Sequence, residues 1–374
     1  MVSTTRRSTA AICENIHKLV GTCSSAASPG DGATRRVRIM EVCGTHTMAI
    51  ARGGLRSLLP ETLRLISGPG CPVCVTDQDY IDRAIALARR DDVIVATYGD
   101  MVRVPGRGGS LAEARAAGAT VEVVYAAERA VDLARCHPQR QVVFLAVGFE
   151  TTTPATALAL RKARDAGVEN FSVLTAHKLI IPAMRHLLAA GDVPIDAFLC
   201  PGHVSVILGW RAYEPLADGF ARPCVVAGFE TAQIVLGVEA ICRQLADGRA
   251  AEENVYPAVT ADGNHTAQAL LDEVFRPADA AWRGLGVIPA SGLVLRDAWG
   301  DFDAAGRFEL PDADALPDVP ELAHCRCGDV ISGRCRPRDC GLFARRCTPS
   351  DPVGPCMVSS EGACAAAFKY ERRS

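Results

Sequence analysis

Residues 141–176 read QVVFLAVGFETTTPATALALRKARDAGVENFSVLTA, and this stretch decides the fold class. QVVFLAVG (141–148) is a nearly continuous apolar run, the mark of a strand buried on both faces. TPATALALRKARDAG (153–167) spaces its apolar residues as a helix does, with Pro154 near its start, where the missing N–H is harmless. FSVLTA (171–176) is strand-like again. Strand, helix, strand predicts a parallel sheet covered by helices.

The alternation extends in both directions. Upstream, RVRIMEV (36–42), LRLISG (63–68), DVIVATYG (92–99) and VEVVYA (121–126) read as strands. IARGGLRSLL (50–59), DQDYIDRAIALARR (77–90) and LAEARAAG (111–118) read as helices between them. Downstream, AFLCPG (197–202) and CVVAG (224–228) are further short strands. An internal echo suggests duplication: GFET recurs at 148–151 and 228–231, GPGCPV (68–73) resembles CPGHVSV (200–206), and DVIVATYGDMVRVPG (92–106) resembles PCVVAGFETAQIVLG (223–237). The expectation is two similar Rossmann-like domains, at 35–135 and 136–260. A helix at 8–22 and a Gly/Pro-bearing polar loop at 24–34 precede them, and 303–320, rich in Asp and Pro, reads as a linker or exposed loop. The last segment, 261–374, is expected to be a small cysteine-rich domain.

Composition narrows the function. The chain has 374 residues and a net charge of −3, with basic and acidic residues interspersed, so nucleic acid is not an expected partner. No run approaches the roughly 18 apolar residues of a membrane span, and the N-terminus lacks the apolar core of a signal peptide. A cytoplasmic setting follows. Sixteen cysteines are then the anomaly, since cytosolic thiols are kept reduced. Seven of them lie between Cys325 and Cys364, in a segment too poor in apolar residues to fold on a core of its own. Soft thiolates select zinc or an iron–sulfur cluster. Zinc ribbons use paired C-x₂-C hairpins, which are missing here, so a [4Fe–4S] cluster is favoured; spacing alone does not pick four of the seven.

Four further motifs carry chemistry. Cys71 and Cys74 in GPGCPVC form a C-x-x-C pair suited to a reversible dithiol, with the helix beginning near Asp77 placed to lower a thiol pKa. Half a zinc site or two packed thiols is the alternative. In EVCGTHTM (41–48), Cys43 ends a strand, Gly44 permits a tight turn, and His46 is near enough to tune a thiolate. PGHVS (201–205) presents His203 in the same way. In GFETTTP (148–154), Glu150, Thr151 and Thr152 stand where a helix N-terminus could bind an anion, or where they simply cap that helix.

Together CGTHT, GPGCPVC, GFETTTP, PGHVS and the tail from Pro337 to Cys364 resemble the HypD family of hydrogenase maturation proteins, over nearly the whole chain. The resemblance implies a scaffold on which iron receives two cyanides and one carbon monoxide, Fe(CN)2CO, for [NiFe]-hydrogenase. It implies two α/β domains plus a small C-terminal iron–sulfur domain, with the N-terminal helix packing on the latter. The family's C-x₁₄-C-x₆-C-x₁₆-C spacing selects Cys325, Cys340, Cys347 and Cys364 as [4Fe–4S] ligands, leaving Cys327, Cys335 and Cys356 spare. Cys43 becomes the iron-carrying cysteine, Cys71 and Cys74 a cluster-fed dithiol, and His46, His203 and Glu361 groups lining the cleft. Thr45, Glu150, Thr151 and Thr152 complete the candidate binding residues. The implied partners are a small HypC-type chaperone, a HypE-type protein that donates cyanide as thiocyanate, and indirectly the hydrogenase large subunit. An assembly scaffold with redox activity, rather than a turnover enzyme, is the reading; a cluster-dependent thiol–disulfide oxidoreductase and a binding protein with structural zinc are its rivals.

Overall fold

The computed structural model describes residues 8–25, 36–310, 317 and 319–371. Two parallel sheets form its frame. The first contains β1 (Val37–Glu41), β2 (Leu63–Ser67), β7 (Ala197–Pro201), β8 (Cys224–Ala227) and β9 (Glu252–Asn254), in the order β2-β1-β7-β8-β9. The second contains β3 (Val93–Thr97), β4 (Val121–Val123), β5 (Gln141–Gly148) and β6 (Phe171–His177), in the order β4-β3-β5-β6. Every pairing in both sheets is parallel. In β5 all but the first residue are buried, as its unbroken apolar run requires.

The α/β reading holds, but the division of the chain between the sheets does not follow residue 135. The chain leaves the first sheet after β2, builds the entire second sheet, and returns for β7. The first unit is therefore discontinuous. Adjacency in sequence does not give adjacency in the sheet here: β1 pairs with β7 across more than 150 residues through Ile39–Ala197. The echo is accordingly mixed: the two GFET segments follow β5 and β8 in different sheets, but GPGCPV and CPGHVSV both follow strands of the first sheet.

Three more expectations are corrected. Helix Thr9–Ser25 packs on helix Thr231–Ala246 and β1, with Asn15 donating to Glu239 at 2.8 Å, and among the described residues its buried side chains join the core of the first sheet rather than the cysteine-rich end. Residues 265–302 are shared between that end and the second sheet: a hairpin tip at Gly284 lies against Gly328, with Trp282 and Leu285 in a cluster with Cys327. The antiparallel hairpin β10 (Phe275–Trp282) and β11 (Gly286–Leu295), with Leu270 and Trp299, shares the core of the second sheet. The helix expected at 50–59 begins earlier, at Gly44, and breaks at Gly53-Gly54, where Gly54 takes φ +61°. The loop from residue 26 and the linker residues 311–316 and 318 lie outside the described residues. Among the described residues no helix is long and apolar enough to cross a membrane.

This topology positions the site. β1 and β7 are neighbours whose connections leave on opposite sides, a switch point where α/β sheets open a crevice at their carboxyl ends. CGTH follows β1, PGHVS follows β7, and GPGCPVC follows β2 on the other flank.

Candidate functional site

Cys43 stands two residues past β1, at the N-terminus of helix Gly44–Arg52. Two glycines hold its surroundings by close approach. A Cβ on Gly44 would lie 2.6 Å from Glu361 Cβ, and Thr45 Oγ1 donates to Glu361 Oε1 at 2.6 Å. The cysteine-rich end thus closes directly over the CGTH turn. On the other side a Cβ on Gly70 would lie 2.2 Å from Cys43 N, and Gly44 N–H donates to Gly70 O at 3.1 Å. Gly70 immediately precedes Cys71, so the CPVC turn rests on Cys43 backbone to backbone.

Cys71 and Cys74 are joined by a disulfide. Both are buried, at 4% and 0% exposure. Cys71 caps its own short helix, Pro72–Val75, and its Sγ accepts from Cys74 N–H at 3.2 Å. The helix beside the pair is this one; Asp77 caps the next, Gln78–Ala88.

His46 is fully buried. Its Nε2 donates to Gly228 O at 2.9 Å; a carbonyl only accepts, so Nε2 carries the proton and Nδ1 is left buried without a partner. Burial pulls the ring pKa down to about 4, keeping it neutral. Phe229 lies between His46 and the exposed His203, with ring centroids 4.9 and 4.0 Å away. Phe229 was not among the residues singled out in the sequence; its signal was the position just after β8, beside β7.

Burial pushes the Cys43 thiol up to about 11, with the Glu361 carboxylate adding to the rise and the N–H groups of His46 and Thr45 opposing it. Cys43 is half-buried. Such a thiol stays protonated until a cation offsets its charge, and ligating a metal expels that proton.

Glu150 sits at the carboxyl end of the second sheet, 1% exposed, with Oε1 accepting from Ile180 N–H at 2.9 Å and Oε2 buried without a partner. Burial raises its pKa to about 7. Thr151 is exposed, and Thr152 covers Gly148, where a Cβ would meet its Oγ1 at 2.2 Å. No described contact joins these three residues to Cys43.

Cys325, Cys340, Cys347 and Cys364 line one small cavity together with Cys327, Cys356, Leu342, Phe343 and Met357. Cys335 is not among the lining residues. Among the described residues no three His, Cys, Asp or Glu side chains converge as the ligands of a single ion do. A [4Fe–4S] cluster does not ask for that convergence, because each thiolate binds a different iron. The lining otherwise suits a cluster: thiols are its only ionisable groups, Val353 N–H donates to Cys347 Sγ at 3.3 Å, and a Cβ on Gly354 would lie 2.5 Å from Cys325 Sγ. Cys327 and Cys356 were read as spare. In the fold they touch, and the Cys325 and Cys356 thiols, with Arg283 beyond them, hold Cys327 well below the usual thiol range. The short helices Cys327–Ile331 and Pro355–Val358 that carry them both pack on the CPVC helix, between it and the cavity.

Residues 14–371 match the family model HypD, described as the hydrogenase formation hypA family. The chain belongs to the HypD family. Its relatives in that family include the hydrogenase maturation factors HypD of Cupriavidus necator, 49% identical over 92% of each chain, and of Escherichia coli, 46% identical over 91% of each. The HypD of Azotobacter vinelandii is 47% identical over 91% of this chain and 90% of its own.

Proposed function

We propose that this chain serves hydrogenase maturation in the cytoplasm as a scaffold on which iron receives two cyanides and one carbon monoxide. The observation that carries the reading is the meeting of three remote segments at one residue: the Cys43 backbone packs against Gly70, which precedes the Cys71–Cys74 disulfide, and its neighbour Gly44 packs against Glu361. In this reading iron is cargo. The Cys43 thiol loses its proton as it takes the metal, and a cysteine of a small HypC-type chaperone supplies a second sulfur.

Cyanide arrives as a thiocyanate on a HypE-type protein. Releasing it consumes two electrons. The reduced Cys71–Cys74 pair is oxidised to its disulfide as the S–C bond of the thiocyanate breaks; the donor keeps a thiol, cyanide goes to iron, and the second proton is released. In cytosol a disulfide is more often a working group than a brace, which suits this role. Cys325, Cys340, Cys347 and Cys364 would hold a [4Fe–4S] cluster, which supplies single electrons when bound. His203, stacked on Phe229 and exposed, and Glu361, fixed by Thr45, are placed to move protons or orient the ligands. Neutral His46 keeps the floor of the crevice free of positive charge.

Complementation tests this. Cells lacking their own HypD are expected to regain hydrogenase activity with the wild-type chain and not with Cys43→Ala or Cys71→Ser. Restoration by Cys43→Ala would leave the thiol oxidoreductase as the better account, since that activity needs no anchor at Cys43.

A further inference from the structure

The charge around the cysteine cavity is lopsided. Between Cys325 and Cys347 there are six arginines and two aspartates and no other charged residue, in a chain whose net charge is −3. Arg336, Arg338, Arg345 and Arg346 are exposed and flank Cys340, which is half-buried and lines the cavity. Arg326 donates to Asp339 O at 3.3 Å, beside the lining residue Cys340, so the arginine rim adjoins the cavity wall.

The rim continues onto the first sheet. Arg38 and Arg64 face each other across β1 and β2, a like-charged pair that sheets ordinarily avoid. Arg64 is further repelled by Arg36 and by Arg336 of the cysteine-rich end. Aspartates offset part of the charge, through Arg326–Asp329 at 3.0 Å, Arg336–Asp339 at 3.7 Å, Arg334–Asp192 at 2.6 Å and the Arg346–Asp351 pair. Asp339 also offsets part of the charge on Arg64, and Asp196 accepts from Arg38 N–H at 2.8 Å. This surface is also remote from the crevice: Arg36 and Arg38 lie at the amino end of β1, and Cys43 lies past its carboxyl end.

We propose that this arginine rim is the docking surface for an acidic, low-potential one-electron carrier protein, which delivers electrons through the Cys340 wall. The proposal rests on the cluster reading of the cavity. Each docking oxidises the carrier by one electron and reduces the cysteine-held group by one, so two dockings supply one disulfide reduction. Guanidinium groups suit carboxylate-rich surfaces because their planar forks match carboxylates and are weakly hydrated. Complementary charge acts mainly on the association rate and makes it fall with salt.

The test uses the full chain with its chromophore, anaerobically, and a plant-type [2Fe–2S] ferredoxin as the acidic probe. Wild type is compared with Arg336→Glu/Arg338→Glu, with Arg345→Glu as a second variant, and with Arg336→Lys/Arg338→Lys. Two quantities are read: binding of oxidised ferredoxin at low ionic strength, and reduction by reduced ferredoxin beside reduction by the methyl viologen radical cation. The charge reversals are expected to weaken binding and slow ferredoxin at least tenfold, to flatten its salt dependence, and to leave methyl viologen as fast or faster; the lysine variant keeps most of the wild-type rate. Ferredoxin binding and rates unchanged by charge reversal, or insensitive to salt, overturn the docking surface alone. A wild-type chain with no sulfur-to-iron absorbance overturns the cluster reading and the docking with it. Variants that lose affinity for RNA but not for ferredoxin assign the rim to nucleic acid and also overturn the proposal.

Discussion

Gly70→Ala probes the contact on which the site depends. The added methyl would lie 2.2 Å from Cys43 N, 2.3 Å from Val42 C and 2.4 Å from Cys43 Cα, all backbone atoms with no side chain free to swing aside. Reaching ordinary contact requires the CPVC turn and β1 to separate by about 1 Å, and overpacking of this kind costs about 1–3 kcal/mol. At about 2–4 °C per kcal/mol for a domain of this class, thermal unfolding should fall by several degrees. The effect on function should be larger. A misplacement of about 1 Å between reacting groups can cost on the order of a hundredfold in rate, so cyanide transfer to iron should nearly stop under conditions where the variant is still folded. Calorimetry gives the first quantity, and growth of the cyanide infrared bands gives the second. A Gly70→Ala chain with wild-type unfolding temperature and wild-type transfer would refute the claim that the disulfide turn is fixed against Cys43.

Other outcomes follow from the same packing. Gly354→Ala puts a methyl 2.5 Å from Cys325 Sγ and should lose iron and acid-labile sulfide after anaerobic reconstitution, whereas Gly341→Ala, with nothing within 4 Å, should keep them; iron analysis of both decides. Glu150 has a folded pKa of about 7 against 4.5 ordinarily, so the folded chain holds an extra proton in that window and its stability falls as pH rises through 7. Glu150→Gln should remove this dependence and gain at most about 3 kcal/mol at pH 8.5 relative to pH 4, read by denaturant unfolding. Cys71→Ser should release Cys74, giving one more titratable thiol than wild type under non-reducing denaturing conditions.

Much of this was legible in the sequence, for identifiable reasons. Strands such as 141–148 declare themselves because burial on both faces demands an unbroken apolar run. Cys43, Cys71, Cys74 and His203 were singled out from strand-end turns and motifs and Glu361 through the family resemblance; in the fold Gly70 packs on Cys43, Thr45 bonds Glu361, and Phe229 lies between His46 and His203. Strand partnership was not legible. Nothing in residues 36–42 or 197–202 says that β1 pairs with β7, because parallel partners are chosen by packing of whole units rather than by local pattern. That one pairing moves the domain boundary and makes Phe229 a shelf for His46 and His203. Cys327 and Cys356 were overlooked for a related reason: spacing orders cysteines along the chain, whereas their contact depends on two short helices stacking on a third.

The most direct measurement is infrared spectroscopy on the chain purified anaerobically with its small chaperone partner, wild type beside Cys43→Ala. Cyanide and carbonyl stretches fall where protein is transparent. The account predicts both sets of bands in wild type and neither in Cys43→Ala, with the sulfur-to-iron absorbance retained in both. Bands of equal strength in the two proteins would contradict the assignment of Cys43 as the anchor of the iron.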